Sequence, residues 1–301
     1  MSKPQAMQPV RFEQSQRAVI EKYGTIFMPE DSEPPILNDA TRSALIGWMR
    51  EIDAAKELAA VGLKPRSTAL FSGPPGCGKT TMAHHVAARR GCPLVLIDMS
   101  ALRSQYVGQT GQQIVELFRA MRPIADKIVI LLDEFDAIAS KRLTIGQASD
   151  RESASIVIGL MQYMDSWTGL MIAATNMARN IDPALWRRFG MSVEISLPDD
   201  EPRFAIIKRY MMPFKLDEDD IWEITNLTNG ATPALLRQLC EGIKRELVLG
   251  PRMSLPIDFH SVLARVLAYC VPHEDMYRPP LWDSASSIAS PKVWPPIIGE
   301  N

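Results

Sequence analysis

The sequence predicts an α/β fold, in which a five-stranded parallel sheet with helices on both faces is followed by a small all-helical domain. Short runs that are apolar along their whole length alternate with helix-like stretches, which is typical of parallel strands buried on both faces. These five runs are STALF (67–71), PLVLID (93–98), IVILLD (128–133), LMIAAT (170–175) and SVEISL (192–197). After Pro198 the strand-like runs end, and three helical patterns follow near 201–212, 217–248 and 257–270.

These patterns divide the chain into four predicted parts. A proline-containing polar stretch that includes EDSEPP comes first, and Asn38 and Asp39 can then cap the first helix of the α/β domain, predicted over 40–60. The tail is rich in proline, serine and tryptophan, so we expect it to be irregular. The parts are an N-terminal arm (1–38), the α/β domain (39–198), a helical domain (199–272) and a C-terminal tail (273–301).

Composition indicates a soluble globular protein. Of the 301 residues, 46% are hydrophobic and 23% charged, and the formal net charge is only −2, so nucleic acid is an unlikely default partner. The chain has no run of about eighteen apolar residues and no apolar signal region near its start, so neither a membrane partner nor secretion is predicted. The four cysteines are far apart, without a CxxC pair, which favours reduced thiols in a cytoplasmic protein.

The segment Gly73–Thr80 fits the pattern G-x-x-x-x-G-K-[ST], which binds nucleotide phosphates through backbone N–H groups. It follows a predicted strand and opens a predicted helix, a context that disfavours the alternative of a chance glycine turn. Lys79 is predicted to reach the β- and γ-phosphates of ATP, and Thr80 to bind Mg²⁺. The candidate nucleotide-binding residues are Pro75, Gly76, Cys77, Gly78, Lys79, Thr80 and Thr81.

Acidic and amide side chains lie at the ends of the third and fourth strands of the predicted sheet. Asp133 ends an apolar strand and is predicted to hold Mg²⁺ through water, while Glu134 is predicted to orient and polarise the attacking water. The alternative for this pair is a solvated acidic turn, and Asp136 is interpreted as structural. Asn176 ends the following strand, where its amide can bind the same water or, alternatively, cap a turn.

Four motifs occur in one order: GPPGCGKTT, DEFD, AATN and DPALWRRF. Together they resemble the AAA+ ATPases, specifically the branch that remodels proteins, over about residues 39–272. The resemblance implies a ring, usually a hexamer, with ATP and Mg²⁺ at each subunit boundary. It also implies that Arg187 and Arg188 reach the γ-phosphate of the neighbouring subunit, although either could instead form only interface ion pairs.

Two positions depart from the pattern of this family. Met191 stands where many relatives carry a further arginine, three residues after Arg188. The helical domain resembles the family's lid, and Ala234 or a neighbour stands where some branches place an arginine against the γ-phosphate. Arg237, one turn later, is interpreted as a surface or lid-packing residue.

The loop RSQYVGQTG follows the second predicted strand, where AAA+ protein remodellers carry a loop that projects into the central pore. Tyr106, Val107 and Gly108 match that loop in position and type, and an aromatic ring can grip extended polypeptide with little sequence preference. The alternative is that Tyr106 packs on its own domain. A second pore loop is expected within 141–152.

The resemblance therefore implies a homohexameric ring ATPase that couples ATP hydrolysis to remodelling or unfolding a protein threaded through the pore. The alternatives are a nucleic-acid motor or loader and an inactive ATP-binding scaffold. The chain is also similar to compact pachytene-checkpoint ATPases, which remodel HORMA-domain proteins and occur in bacterial antiviral operons, and to small ATPases encoded beside subtilisin-like proteases. An adaptor is a further expected partner. Trp282 and Trp294 could clip onto a neighbouring subunit or partner, or belong to a disordered end.

Overall fold

The computed structural model describes residues 10–102, 109–139, 148–284 and 289–298. A six-stranded sheet in the order β1-β3-β4-β5-β2-β6 forms its centre, and every neighbouring pair is parallel except β1 with β3. The strands are β1 (Gly24–Phe27), β2 (Thr68–Ser72), β3 (Leu94–Asp98), β4 (Val129–Asp133), β5 (Leu170–Thr175) and β6 (Met191–Glu194).

The sixth strand corrects the predicted count of five. β1 lies in the stretch that the sequence analysis assigned to the arm, and it pairs antiparallel with β3 from Gly24 opposite Ile97 to Phe27 opposite Leu94. Its sequence, GTIF, is a four-residue run among polar residues and prolines, so its periodicity is too short to distinguish it from a loop. An antiparallel strand at the edge of a parallel sheet is a common arrangement.

Helices pack against the sheet through their apolar faces. Trp48 shows how tightly the first of these faces packs, because its ring is 1% exposed and its Nε1 donates to the carbonyl of Arg66 at 2.7 Å. The helix predicted over 40–60 is present as two helices, α2 and α3. The helices of this part are α1 (Gln14–Tyr23), α2 (Asp39–Asp53), α3 (Ala55–Ala60), α4 (Lys79–Arg89), α5 (Gln109–Met121), α6 (Asp136–Ala139), α7 (Ala148–Ser166) and α8 (Pro183–Trp186).

The parallel register brings the ends of several strands to one edge. Asp98 lies opposite Asp133, and Ser72 lies opposite Thr175. The residues that follow β2, β4 and β5 therefore begin at the same level, at the carboxyl edge where open parallel sheets bind their ligands.

A second compact unit takes Ile36–Asn38, Pro74–Gly78 and the chain from Ser196 onward. Its helices begin at capping side chains, since Asp217, Thr232 and Asp258 each accept a hydrogen bond from a backbone N–H in the first turn. The elements are α9 (Asp200–Met211), α10 (Glu218–Leu227), α11 (Pro233–Leu249), α12 (Phe259–Tyr269), α13 (Leu281–Ser284) and the two-residue strands β7 (Phe214–Lys215) and β8 (Ile297–Ile298).

The tail departs from the sequence expectation. Trp282 is 7% exposed and donates its Nε1–H to the carbonyl of Cys270, while Trp294 donates to the carbonyl of Ile257 at 2.6 Å. β8 pairs with β7. Both tryptophans bond within their own unit, so the prediction of a disordered end is wrong for these residues, while the intersubunit clip stays a prediction. The two tryptophans are visible in the sequence, but a local pattern does not reveal which carbonyl groups they bind.

Across the described ranges, no helix combines the length and the apolar composition needed to cross a lipid bilayer.

Candidate nucleotide-binding site

The loop from Gly73 to Gly78 joins β2 to α4, and three of its glycines have positive φ. The values are 153° at Gly73, 76° at Gly76 and 87° at Gly78, a region that side chains disfavour. A Cβ on Gly73 would lie 2.1 Å from the carbonyl oxygen of Ile195, whereas one on Gly78 would meet nothing within 4 Å. The backbone at Gly78 is therefore open, at the positive end of an eleven-residue helix, which is how proteins bind phosphate.

Lys79 is the first residue of α4, and its side chain is fixed by two residues that directly follow strands. It is only 8% exposed, and its Nζ donates to the carbonyl of Gly73 at 2.8 Å and to Asn176 Oδ1 at 2.6 Å. Asn176 follows the end of β5, so the predicted lysine and the predicted amide come together. Because Asn176 accepts this bond through its oxygen, its amide N–H groups are the ones available to a ligand.

Thr80 and Asp133, the two predicted magnesium ligands, are also brought together. Thr80 Oγ1 donates to Asp133 Oδ2 at 3.0 Å, and Asp133 Oδ1 accepts from the backbone N–H of Glu134 at 3.0 Å. A hydroxyl beside a carboxylate is the kind of oxygen donor set that Mg²⁺ accepts, with its remaining positions filled by phosphate and water. The residues present therefore fit Mg²⁺–nucleotide.

Glu134 has an unusual backbone for a residue with a side chain. Its φ is 50°, and the next residue, Phe135, donates its N–H to the carbonyl of Ala174 at 2.9 Å and is fully buried. Anchoring Phe135 in the core leaves the Glu134 side chain exposed, and it accepts no hydrogen bond from the part of the chain that the structure describes. A strained residue with a free carboxylate is typical of functional sites.

The structure gives the neighbouring acid a different role. Asp136 Oδ1 accepts a hydrogen bond from Thr175 Oγ1 at 2.6 Å, which links the segment after β4 to the end of β5. This contact is of the structural kind that the sequence analysis assigned to Asp136.

The two candidate arginines differ in their surroundings. Arg188 donates from Nη1 to the carbonyl of Ala184 at 3.1 Å, and its Nε lies 3.4 Å from Asp165 Oδ1. Arg187 is exposed, and its guanidinium makes neither an ion pair nor a hydrogen bond with any residue of the described ranges. Of the two arginines, Arg187 is therefore the one whose guanidinium is available to a ligand or another molecule.

The remaining predicted residues belong to the phosphate loop and the start of α4, or lie outside the described ranges. Pro75, Gly76 and Thr81 are exposed, and Cys77 is buried at 5% exposure. Tyr106, Val107 and Gly108 lie outside the described residues. So do residues 141–147 of the expected second pore loop, and the rest of that loop begins α7.

Two contacts, one made by α4 and one by the loop from Gly73 to Gly78, could not be predicted from the sequence. His84 Nε2 lies 2.8 Å from the carbonyl of Met28, and burial with nearby positive groups lowers the pKa of the adjacent His85. In the second unit, Ala234 donates its N–H to the carbonyl of Gly76 at 3.1 Å. Both contacts join residues far apart in the chain, which local patterns do not reveal.

Comparison with known proteins identifies residues 69–197 as similar to one family, described as the ATPase family associated with various cellular activities (AAA). An uncharacterized AAA family ATPase, y4kL, of Sinorhizobium fredii is 38% identical over 58% of this chain and 52% of its own length.

Proteasomal ATPases are similar to the chain at comparable levels. The proteasome-activating nucleotidase of Pyrococcus furiosus is 37% identical over 60% of this chain and 46% of its own length. The probable 26S proteasome regulatory subunit 10B of Caenorhabditis elegans is 33% identical over 60% of this chain and 46% of its own length. The chain thus spans about half the length of the curated relatives it matches.

Proposed function

Because residues 69–197 form an AAA ATPase domain homologous to proteasome-activating nucleotidases and 26S proteasome regulatory subunits, we propose that this chain is an ATP hydrolase. It works as a cytoplasmic homohexameric ring that remodels or unfolds a protein substrate. One observation carries the activity: the Thr80 hydroxyl lies 3.0 Å from the Asp133 carboxylate, directly beside the free carboxylate of Glu134. This arrangement supports the proposal of a metal-ligand pair beside a general base.

The triphosphate is held by backbone and by charge. The open N–H groups around Gly78 and the start of α4 bind the phosphate oxygens, and Lys79 supplies a positive charge that its bonds to Gly73 and Asn176 keep in place. Mg²⁺ bound with the nucleotide would be held by Thr80 and, through water, by Asp133, and it would neutralise negative charge on the phosphates.

Hydrolysis needs a water molecule aligned with the γ-phosphorus. Glu134 orients this water and accepts its proton as the oxygen bonds to phosphorus and the bond to the β-phosphate oxygen breaks, which releases ADP and phosphate. The amide N–H groups of Asn176 can donate to the γ-phosphate or to the same water, because Asn176 Oδ1 already accepts from Lys79.

Arg187 completes the proposed site from the neighbouring subunit. Its exposed guanidinium would neutralise charge on the transferred phosphoryl group, an effect worth roughly 10³–10⁵ in rate where such arginines act. Its exposure and its lack of partners among the described residues support this role. Arg188 is already paired with Asp165 and holds the segment that carries Arg187.

The test of the activity is the ATPase rate of Glu134→Gln, with the oligomer mass measured in ATP. We expect hydrolysis to fall by at least about 10²-fold because the general base is lost, while ATP binding and a stable hexamer remain. Glu57→Gln is the matched control, since Glu57 is an exposed glutamate on α3 that belongs to none of the motifs of the site. Normal turnover by Glu134→Gln, or the absence of a ring, would contradict the proposal.

The trapped Glu134→Gln ring also tests the substrate class. A HORMA-domain protein recovered with the ring would support a role in bacterial antiviral signalling, and a subtilisin-like protease would support the other compact branch. Tyr106→Ala should hydrolyse ATP but no longer remodel the captured protein. Salt-sensitive DNA binding that stimulates hydrolysis would instead favour the nucleic-acid motor.

A further inference from the structure

Thr175, the last residue of β5, has a hydroxyl group that makes two hydrogen bonds at once. It donates to Asp136 Oδ1 at 2.6 Å, and it accepts from the backbone N–H of Met177 at 2.9 Å. Between Thr175 and Met177 lies Asn176, whose amide N–H groups would bind the γ-phosphate or the attacking water in the proposed mechanism. We infer that Asp136 and Thr175 are positioning residues, which set the direction of the Asn176 side chain. This inference rests on the proposed function, because it concerns a residue of the same site.

The hydroxyl of Thr175 closes a turn around Asn176. A threonine side chain that accepts from the N–H two residues later holds the backbone between them in a turn. The rotamers open to a side chain depend on its backbone, so this turn limits the directions in which the Asn176 amide can point. The far end of the side chain is held as well, because Asn176 Oδ1 accepts from Lys79 Nζ at 2.6 Å.

Asp136 fixes the orientation of the Thr175 hydroxyl. An ionised carboxylate only accepts hydrogen bonds, so the Thr175 O–H points at Asp136 and an oxygen lone pair remains for the N–H of Met177. Thr175 is 1% exposed, so water does not replace a partner that is lost. Asp136 therefore acts on Asn176 through the hydroxyl of Thr175.

The same contact sets the relation between Asn176 and the proposed general base. Glu134 lies two residues before Asp136, and the residue between them, Phe135, donates its N–H to the carbonyl of Ala174 at 2.9 Å. The segment after β4 is thus bound to the end of β5 both through the backbone of Phe135 and through the side chain of Asp136. Two bonds resist rotation better than one, and Glu134 and Asn176 would need a constant separation to act on one water.

The hydroxyl at this position is not explained by packing. A valine would occupy nearly the same space in the core, and burying a hydroxyl lowers stability unless the group is hydrogen-bonded. The backbone of Thr175 has its own contact, since its carbonyl accepts from the N–H of Gly73 in the phosphate loop at 3.3 Å. Thr175 therefore contacts the phosphate loop through its backbone, and the segment after β4 through its hydroxyl.

The experiment measures kcat and KM for ATP in Thr175→Val and Asp136→Ala, which both remove the bond between these residues. We expect kcat to fall by about tenfold to a hundredfold, because a small displacement of a positioned group has an effect of that size. KM should change by less than about threefold, since Lys79 and the phosphate loop are intact. Thr175→Ser keeps a donor and Asp136→Asn keeps an acceptor, so both should retain kcat within about threefold of the wild type.

An Asn176→Ala background separates positioning from a general effect on the fold. This substitution removes the amide donors, and it should lower kcat by about 10²–10³-fold by itself. If Asp136 acts through Asn176, adding Asp136→Ala to this variant should change kcat by less than about twofold. Asp136→Ala leaves the bond between Thr175 and Met177 in place, so it remains a valid test if Thr175→Val does not fold.

Thr225→Val is the matched control. Thr225 is fully buried in the second unit and its hydroxyl donates to the carbonyl of Ile221 at 2.7 Å, so the substitution should lower stability and leave kcat unchanged. A wild-type kcat in Asp136→Ala, or an equal loss in the Asn176→Ala background, would overturn the positioning role. A wild-type kcat in Asn176→Ala would instead contradict the proposed function, because Asn176 would then take no part in hydrolysis.

Discussion

Glu134 combines the two features that single out a functional residue at the smallest scale. Its carboxylate has no hydrogen-bond partner among the residues described, and its backbone has a φ of 50° that glycine adopts far more readily. Such a conformation costs on the order of 1–3 kcal/mol. The burial of Phe135 and its bond to the carbonyl of Ala174 offset that cost, and the result is an acid that points away from the core.

This strain predicts opposite effects for two substitutions at the same position. Glu134→Gly should be more stable than Glu134→Val by about 2 kcal/mol, because valine is β-branched and tolerates positive φ poorly whereas glycine accepts it. Both variants should lack ATPase activity, so stability and activity are separated. Urea unfolding midpoints measure the difference, and equal midpoints would show that the backbone at this position is not strained.

The local part of the site could be predicted from sequence, but the long-range part could not. Lys79, Thr80, Asp133 and Asn176 lie in short motifs at strand ends, and parallel strands bring such ends together. The contact between Gly76 and Ala234 joins residues that are remote in sequence. Such packing depends on side-chain fit rather than on periodicity, so a local sequence pattern does not predict it.

At the scale of elements, β1 shows how a short segment can be fixed by one close approach. A Cβ on Gly24 would lie 2.0 Å from the carbonyl oxygen of Leu96 on β3, so only glycine allows this pairing. Ile20 and Tyr23 on the preceding α1 are buried in the same core, and Gln16 donates to the carbonyl of Ala120 at 3.2 Å. The helix and strand therefore belong to the core although their sequence resembles a linker.

Gly24→Ala should lower the free energy of unfolding by about 1–3 kcal/mol, because the added methyl forces β1 away from the sheet edge. Gly47→Ala is the matched control. Gly47 lies in α2 with nothing within 4 Å of an added Cβ, and the substitution should raise stability by about 0.5–1 kcal/mol because alanine favours helix. Chemical denaturation compares them, and a neutral Gly24→Ala would mean that β1 contributes no stability.

For the whole molecule, the central question is whether one chain completes the site of another. The described residues bring together Lys79, the proposed magnesium ligands Thr80 and Asp133, and the proposed general base Glu134. Arg187 and Arg188 directly follow α8, and within the described ranges Arg188 pairs with Asp165 whereas Arg187 has no ion-pair partner. In the proposed ring each subunit would lend Arg187 to the next, which would add a positive charge where charge develops on the transferred phosphoryl group.

A shared site predicts that two inactive variants restore each other. A subunit with Arg187→Ala keeps Lys79 in its own site but gives no arginine to the site of the next subunit. A subunit with Lys79→Ala gives Arg187 to the next subunit, but its own site does not work. Each variant alone should therefore lose ATPase activity by about 10³-fold or more. In an equimolar mixed ring, half of the sites retain Lys79 and half of those face a neighbour with Arg187, so activity should recover to about a quarter of the wild-type rate. Arg188→Ala should mainly reduce stability, because it breaks the pair with Asp165. Steady-state ATPase assays of the separate and the mixed proteins decide the matter, since an arginine that acted within its own chain would give no recovery on mixing.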